Sequence, residues 1–523
     1  MTKNAVIINP NIKTGSNPNQ NLITIDPITR IEGHLAIRVE VESGRVTKAF
    51  SAGEMFRGFE VLLKGRHPLD AQQITQRICG VCPVSHGMAS VLAQDHAYGV
   101  SPPENGLLGR NLIQAANFIQ SHIIHFYQLS ALDFIDIAAV VDYRGNDPDL
   151  NELKAWVNTQ RASNVLYPAA PFLPRYAGDY ARSADLNITV LKHYLEALDM
   201  RALAHRMGAV FAGKLPHAPG LVPGGITETV TAEKIAAFES MLTKLRNFID
   251  GCYLPDVLET ARAFPAYLKQ GKGCANFLAY GAFPDAASVD APPLLPSGVL
   301  VNGTLADADP GRITEDTGHS FYAAASGLPP AAGQTIPVHD KQAAYSWVKA
   351  PRYDGTVMEV GPLARVMIAY YKTEDSPLKR LTEQTMRDLR IGADALVSVM
   401  GRHIARTLEC KVIADQCTDW VARLVPGKPA FADFEVPEIG RGIGLTEAPR
   451  GALGHWLAIR NGKIDHYQCV VPTTWNCSPR DDQGVPGPVE QALVGIPVAD
   501  ADNPIEAVRV VRSFDPCLAC AVH

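Results

Sequence analysis

The feature that most restricts how this chain can fold is a pair of Cys-x-x-Cys turns near its opposite ends: Cys79 and Cys82 in RICGVCPVSHG, and Cys517 and Cys520 in DPCLACAVH. Such a turn aims both sulfurs at one point, and two turns together make a four-sulfur site suited to a soft or borderline metal. Zinc ribbons set their pairs about 15 to 20 residues apart. Here Cys82 and Cys517 are 435 positions apart, so a shared site must be assembled by the whole fold, with the C-terminus held where chains ordinarily fray. Cys82 is followed by Pro83 and a helical pattern, which puts its sulfur near a helix N-terminus, where thiolate charge is favoured. His86, one turn further along the same face, is placed either to hydrogen-bond a bound sulfur or to act as an ordinary core histidine. On the residues alone, structural zinc, a redox or catalytic metal and thiol exchange all stay open, although exchange calls for a βαβ setting that the sequence does not show.

Ten cysteines in 523 residues exclude a disulfide scaffold. Cys252, Cys274, Cys410 and Cys417 lie singly and read as buried structural thiols or inert loop residues. The net charge of −6 carries no block of like charges, which leaves no electrostatic footprint for nucleic acid or an anionic membrane. No run of eighteen apolar residues predicts a transmembrane helix, and the N-terminal residues lack a secretory signal. If the protein leaves the cytoplasm, something else carries it.

The length allows about three domains or one merged core. Residues 1–22 read as an extended arm and 23–66 as a β region, with a hairpin starting at Leu35 and turning at Ser43-Gly44. Residues 67–272 read as a helical core containing the first cysteine pair. Helices are predicted over 68–78, 83–97, 105–137, 185–211 and 231–264, the last N-capped by Thr231. Residues 273–345, rich in Pro, Gly, Ala and Asp, read as a loop-rich excursion with short strands, and 346–443 as helical again. Residues 444–523 form a C-terminal β region with the second cysteine pair; strands are predicted over 444–475, with Asn461-Gly462 a hairpin turn. The fold class is α+β and helix-dominated: a long central helix bundle with peripheral β-hairpins.

TRIEGH (29–34), RICGVCPVSHG (77–87), HFYQLSALDF (125–134), KLPHAPGLVPGG (214–225), EAPRGALGHW (447–456), VVPTTWN (470–476) and the C-terminal DPCLACAVH, in that order, resemble the large, catalytic subunit of nickel-iron hydrogenases of the respiratory uptake, periplasmic type. The resemblance implies that fold and a nickel held by Cys79, Cys82, Cys517 and Cys520. Cys82 and Cys520 would bridge to an iron carrying carbon monoxide and cyanide. It implies Glu32 as the first proton carrier from Cys517, and Arg450 as a fixed cation over the open metal position. Pro449, Leu453, Val471 and Pro472 would form the apolar pocket around the iron's ligands, and Thr473 would donate to a cyanide. A magnesium or iron ion would be held by Glu60, His523 and the carbonyl of Cys469, tying down the chain end; imidazole, carboxylate and carbonyl suit a hard cation. Because family members are cleaved after this histidine, a chain stopping at His523 is expected to be the processed form.

One departure stands out. Many members carry aspartate where Ser121 precedes His122, so Asp515 is left as the carboxylate neighbour of Arg450. The wording around Ser121 also resembles the nickel-iron-selenium subgroup, although position 517 here is cysteine. The implied activity is reversible oxidation of dihydrogen to protons and electrons, with Cys517 or Arg450 receiving the proton. No iron-sulfur spacing is present, so an iron-sulfur small subunit is implied as partner in a heterodimer, with a cytochrome or quinone as downstream acceptor. The expected location is the periplasm, soluble or membrane-attached, reached by export with that subunit. The rivals are a structural zinc module, the homologous quinone-reducing subunit of respiratory complex I, which lacks the paired cysteines, and deazaflavin- or nicotinamide-linked hydrogenases.

Overall fold

The computed structural model describes residues 21–163, 178–284, 292–323 and 326–523. Most of the N-terminal arm expected over 1–22 lies outside these residues. Its last two residues are a correction: Asn21 and Leu22 open a strand, Asn21–Ile25, antiparallel to Leu35–Glu42. The expected hairpin is therefore the middle and edge of a three-stranded sheet with Arg45–Gly53. Five residues of weak alternation next to an Asn- and Pro-rich run gave no periodicity from which to read the added strand.

Four long helices make the centre: Glu104–Ile124, Ala184–Ala212, Ala232–Phe248 and Val399–Ala422. Three of the four starts are set by side chains: the hydroxyls of Ser183, Thr231 and Ser398 accept from the N–H groups of Leu186, Lys234 and Gly401. Each satisfies an orphan donor of the first turn. Two long helices expected from periodicity are not α-helical throughout. The α-helical part of 105–137 stops at Ile124 and continues as a π-turn, His125–Ser130, and a short 3₁₀ turn. In 231–264 the helix passes through a π-turn at Ile249–Tyr253. Periodicity does not separate these from α-helix over one turn.

The C-terminal sheet runs Ile439–Ala448, Gly451–Arg460 and Lys463–Val470, with the predicted turn at Asn461-Gly462. Residues 472–475, expected as strand, belong instead to a short helix, Pro472–Asn476, with Pro472 in its first turn, where proline's fixed φ and missing N–H are no handicap. The first strand of this sheet lies directly on the Pro83–Tyr98 helix. Glycine makes that approach possible: a Cβ at Gly442 or Gly444 would stand 1.8 Å from Ala93 O or 2.0 Å from Ala89 O. Strand and helix run in opposite senses, so the strand's end, Ala448, arrives beside the helix start at Cys82. Backbone packing thus delivers Arg450 to the first cysteine pair.

Candidate metal centre

The four paired cysteines converge. Sγ of Cys79 lies 3.3 Å from that of Cys517, Cys82 is 3.3 Å from Cys520, and Cys517 is 2.9 Å from Cys520. None forms a disulfide, and all four are buried. Sulfurs about 2.3 Å from one tetrahedral ion stand roughly 3.8 Å apart, so the cluster is close to the size a thiophilic metal takes. Burial pushes the Cys517 and Cys520 thiols up, and their neighbours add to it for Cys517. Cys79 goes the other way: against burial, hydrogen bonds from Cys517, Cys520 and Cys82 and the charge of Arg450 drive it well down. One thiolate thus forms at the expense of the rest, and a metal cation is what allows several to ionise together. The donor set fits nickel.

The C-terminal pair is pinned by the TRIEGH segment. Leu518 N–H donates to Glu32 O (2.8 Å) and Glu32 N–H to Pro516 O (3.2 Å), a short parallel pairing. Gly33, at φ +79°, follows in a conformation open to glycine, and a Cβ there would meet Ala519 N at 2.8 Å. This puts the Glu32 carboxylate 3.1 Å from Cys517 Sγ, where it also accepts from Ala519 N–H at 2.9 Å. Burial, then the charge on Cys79, raises its pKa, so Glu32 is poised to hold a proton beside a sulfur.

Arg450 reaches the cluster from the turn between the first two strands of the C-terminal sheet. Its Nη2 donates to Asp515 Oδ1 and its Nε to Asp515 O, both at 3.0 Å, and Nη1 lies 3.4 Å from Ser121 Oγ. Asp515 is therefore the ionic partner, with Ser121 a weak polar contact. Burial opposes the charge, yet Asp515 and the cysteine sulfurs keep Arg450 firmly protonated. A small cavity, with room for about one water-sized group, is lined by Cys82, Cys517, Cys520, His86, Arg450, Ala448, Leu453, Pro472 and Thr473. Leu453 and Pro472 supply its apolar wall with Ala448; Pro449 and Val471 are buried nearby but are not among the lining residues. Thr473 Oγ1 accepts from Cys517 N–H at 3.0 Å, which leaves its own O–H free to donate into the cavity.

His86 meets the sulfur of Cys520 rather than that of its own motif, at 3.4 Å from Nε2. Its Nδ1 is 3.3 Å from His455 Nε2, and His455 Nδ1 is 2.8 Å from the Tyr467 hydroxyl. Burial pulls His86 down to about 3 and His455 well down, so both rings are neutral. With Tyr467 donating inward, one proton assignment satisfies the row: Tyr467 to His455, His455 to His86, His86 to sulfur.

A second cluster joins Glu60, Cys469 and His523. His523 Nε2 stands 3.0 Å from Glu60 Oε1, which also accepts from Cys469 N–H at 2.8 Å. Lys349 sits 3.5 Å from Glu60 and 3.7 Å from Glu315. Burial and then the Glu60 charge hold the Cys469 thiol well above its usual range. A protonated thiol is a poor ligand, so the carboxylate and imidazole carry what affinity the site has, and they suit a hard cation.

Several residues at these sites carry no signal in the sequence that points to them. Arg57 donates to Ile78 O and, at 2.7 Å, to Ala519 O, stitching the two cysteine segments together; it lies three residues before Glu60. Lys349, His455 and Tyr467 are others. Buried Arg402, Arg406 and Glu409 lie at helical spacing on one apolar helix, a pattern that marks a charged stripe facing a core.

A family model described as nickel-dependent hydrogenase matches residues 57–523, and a HoxL-like model matches residues 22–52. The periplasmic [NiFeSe] hydrogenase large subunit of Desulfomicrobium baculatum is 42% identical, covering 96% of this chain and 94% of the relative. The hydrogenase-2 large chain of Escherichia coli (strain K12) is 37% identical over 96% of this chain and 97% of its own length. Among solved structures, the reduced Ni-Fe-Se hydrogenase from D. vulgaris Hildenborough aligns with a TM-score of 0.86 at 42% identity, covering 96% of this chain and 100% of that one.

Proposed function

We propose, from the premise that this chain belongs to the nickel-dependent hydrogenases as a large subunit, that it oxidises dihydrogen reversibly to two protons and two electrons. The observation that carries this reading is the Glu32 carboxylate 3.1 Å from the sulfur of Cys517 inside a buried four-cysteine cluster. A structural zinc site has no use for a proton acceptor there. In this reading Cys79, Cys82, Cys517 and Cys520 would hold nickel, and Cys82 and Cys520 would also hold an iron carrying carbon monoxide and cyanide. When bound, the binuclear centre supplies the site of heterolytic dihydrogen cleavage and takes up the electrons.

The chain's own residues do the rest. Cys517 Sγ takes the proton and Glu32, 3.1 Å away, carries it outward as a positioned carboxylate. Arg450, locked by Asp515, presents a fixed cation to the cavity, stabilising charge without reorganising when it develops. Leu453, Pro472 and Ala448 would keep water from an iron's diatomic ligands in this cavity, Thr473 would donate to one of them, and His86 holds the Cys520 sulfur. Pro449 and Val471 support that wall from behind. Glu60, His523 and the Cys469 carbonyl hold magnesium or iron and so fix the chain end.

Electrons need a second subunit, because among the described residues the two clusters above are the groups suited to a metal: the four cysteines are taken by nickel in this reading, and Glu60, Cys469 and His523 lack the four thiolates of an iron-sulfur cluster. An iron-sulfur small subunit is the partner, passing electrons to a cytochrome or quinone. No helix among the described residues is long and apolar enough to cross a membrane, and the relative from Desulfomicrobium baculatum is named periplasmic. The relative's name supports a periplasmic location for this enzyme, which would be reached by export with its partner. The test is metal analysis and infrared spectroscopy on the purified heterodimer: nickel and iron with carbonyl and cyanide stretching bands are expected, and zinc alone without such bands would refute the reading.

A further inference from the structure

The side chain of Arg450 is locked by Asp515, but its position also depends on what holds its backbone. It sits in the two-residue turn Pro449-Arg450 between paired Ala448 and Gly451, where Pro449 contributes no N–H. The carbonyls of Ala448 and Pro449 are both taken by one side chain, Arg365: Nη1 donates to Ala448 O at 3.1 Å and Nη2 to Pro449 O at 2.9 Å. The other three N–H groups of that guanidinium go to Glu409 Oε2 (2.6 Å), Glu409 Oε1 (2.7 Å) and Glu447 Oε2 (2.5 Å). A guanidinium has five donors in one rigid plane, and here all five are used, with Arg365, Glu409 and Glu447 fully buried.

A second route leads from the same group to the other end of Arg450. Glu409 Oε1 is 2.8 Å from His122 Nε2, and the preceding residue, Ser121, touches Arg450 Nη1. The contacts close a ring: Arg365 to the turn that bears Arg450, and Arg365 through Glu409 and His122 to the residue beside its guanidinium. The helix that carries Arg365 also starts against this turn, since a Cβ at Gly361 would meet Arg450 O at 2.9 Å. Stability alone does not call for such a device, because replacing buried ion pairs by apolar groups is often neutral or stabilising. What a planar five-donor group provides, and an apolar contact does not, is two adjacent carbonyls fixed in one plane.

We propose that Arg365 is a positioning residue for Arg450, setting through the Ala448 and Pro449 carbonyls and through Glu409 and His122 where the Arg450 guanidinium stands beside the four sulfurs. The inference rests on the role given to Arg450 above. Arg365→Lys keeps the charge but offers three donors in place of the planar five. In the assembled heterodimer it is expected to keep its nickel and iron, to shift the carbonyl and cyanide bands, to speed amide hydrogen exchange in residues 447–451, and to slow dihydrogen oxidation about 10- to 100-fold, as misplacement of a positioned group does. Because Arg365 acts through Arg450, the double variant Arg365→Lys/Arg450→Lys should be no slower than Arg450→Lys alone. Losses that multiply, or an Arg365→Lys enzyme with wild-type rate and bands, would overturn the proposal. Should Arg365→Lys fail to load metal, Glu409→Gln carries the same double-variant test; loss of metal in both makes the network structural and also overturns it. Failure of the hydrogenase reading itself would show in the wild-type protein, which would then lack the bands and the turnover before any variant is compared.

Discussion

Glu32→Gln is the perturbation that isolates proton transfer. Glutamine has the same size, and its carbonyl oxygen can still accept the Ala519 N–H that now lies 2.9 Å from Glu32 Oε2. The backbone pairing of residue 32 with Pro516 and Leu518 involves no side chain, so the C-terminal cysteines keep their place. What is lost is a titratable oxygen 3.1 Å from Cys517 Sγ. Asp515, the other carboxylate close to the cluster, is engaged by Arg450 and is no substitute. A positioned acid or base contributes about 10²- to 10⁴-fold, equivalent to about 3 to 5 kcal/mol of barrier at 1.36 kcal/mol per tenfold. The assay is dihydrogen oxidation with a viologen dye as acceptor, on enzyme whose nickel, iron and infrared bands match wild type. A variant with matching metals that keeps more than about a tenth of the wild-type rate would refute Glu32 as the first proton carrier.

Legibility in the sequence followed the range over which each interaction is encoded. The helical core, the hairpin turn at Asn461-Gly462 and the N-cap at Thr231 are local and were readable from periodicity and turn chemistry. The helix at 472–476 was not: in a strand-rich stretch, Pro472 at its first turn was a start signal that alternation outweighed. The four cysteines were legible as a metal-binding set from their two Cys-x-x-Cys turns, with the choice of nickel coming from motif resemblance; Glu32, Arg450 and Asp515 were legible through that resemblance alone, since no spacing rule links residues 32, 82, 450 and 517. The glycine spacing at 442 and 444 was visible, but the helix it accommodates is some 350 positions upstream, and close backbone approach leaves no mark on the partner strand or helix. Arg365 was hidden for a related reason. A buried arginine in an apolar helix looks like a surface residue until Glu409 and Glu447, each from a distant element, are seen around it.

Two further outcomes test the chain end and the helical core. His523→Ala leaves a buried Glu60 oxygen without the imidazole that lies 3.0 Å from it, so it should cost about 2 kcal/mol, the scale of stranding a buried hydrogen-bonding group, and open the C-terminus to carboxypeptidase; an unchanged thermal midpoint together with unchanged resistance would show that His523 does not anchor it. In the core, His193 Nδ1 and the Tyr127 hydroxyl both contact Asp256 Oδ2, at 2.8 and 2.7 Å. Burial lowers the His193 pKa, but Asp256 and Cys252 outweigh it and raise the imidazole to about 10, against about 6.5 for an unperturbed histidine. A folded-state pKa above the unfolded value means that the folded protein binds the extra proton, so this contribution is complete below about pH 6.5 and drains away as pH rises through about 10. The thermal midpoint should therefore fall between pH 7 and 10 more steeply in wild type than in Asp256→Asn, whose amide cannot hold the imidazolium. Equal slopes would mean that His193 titrates near its unperturbed value and that the pair is a neutral hydrogen bond with no charge to lose.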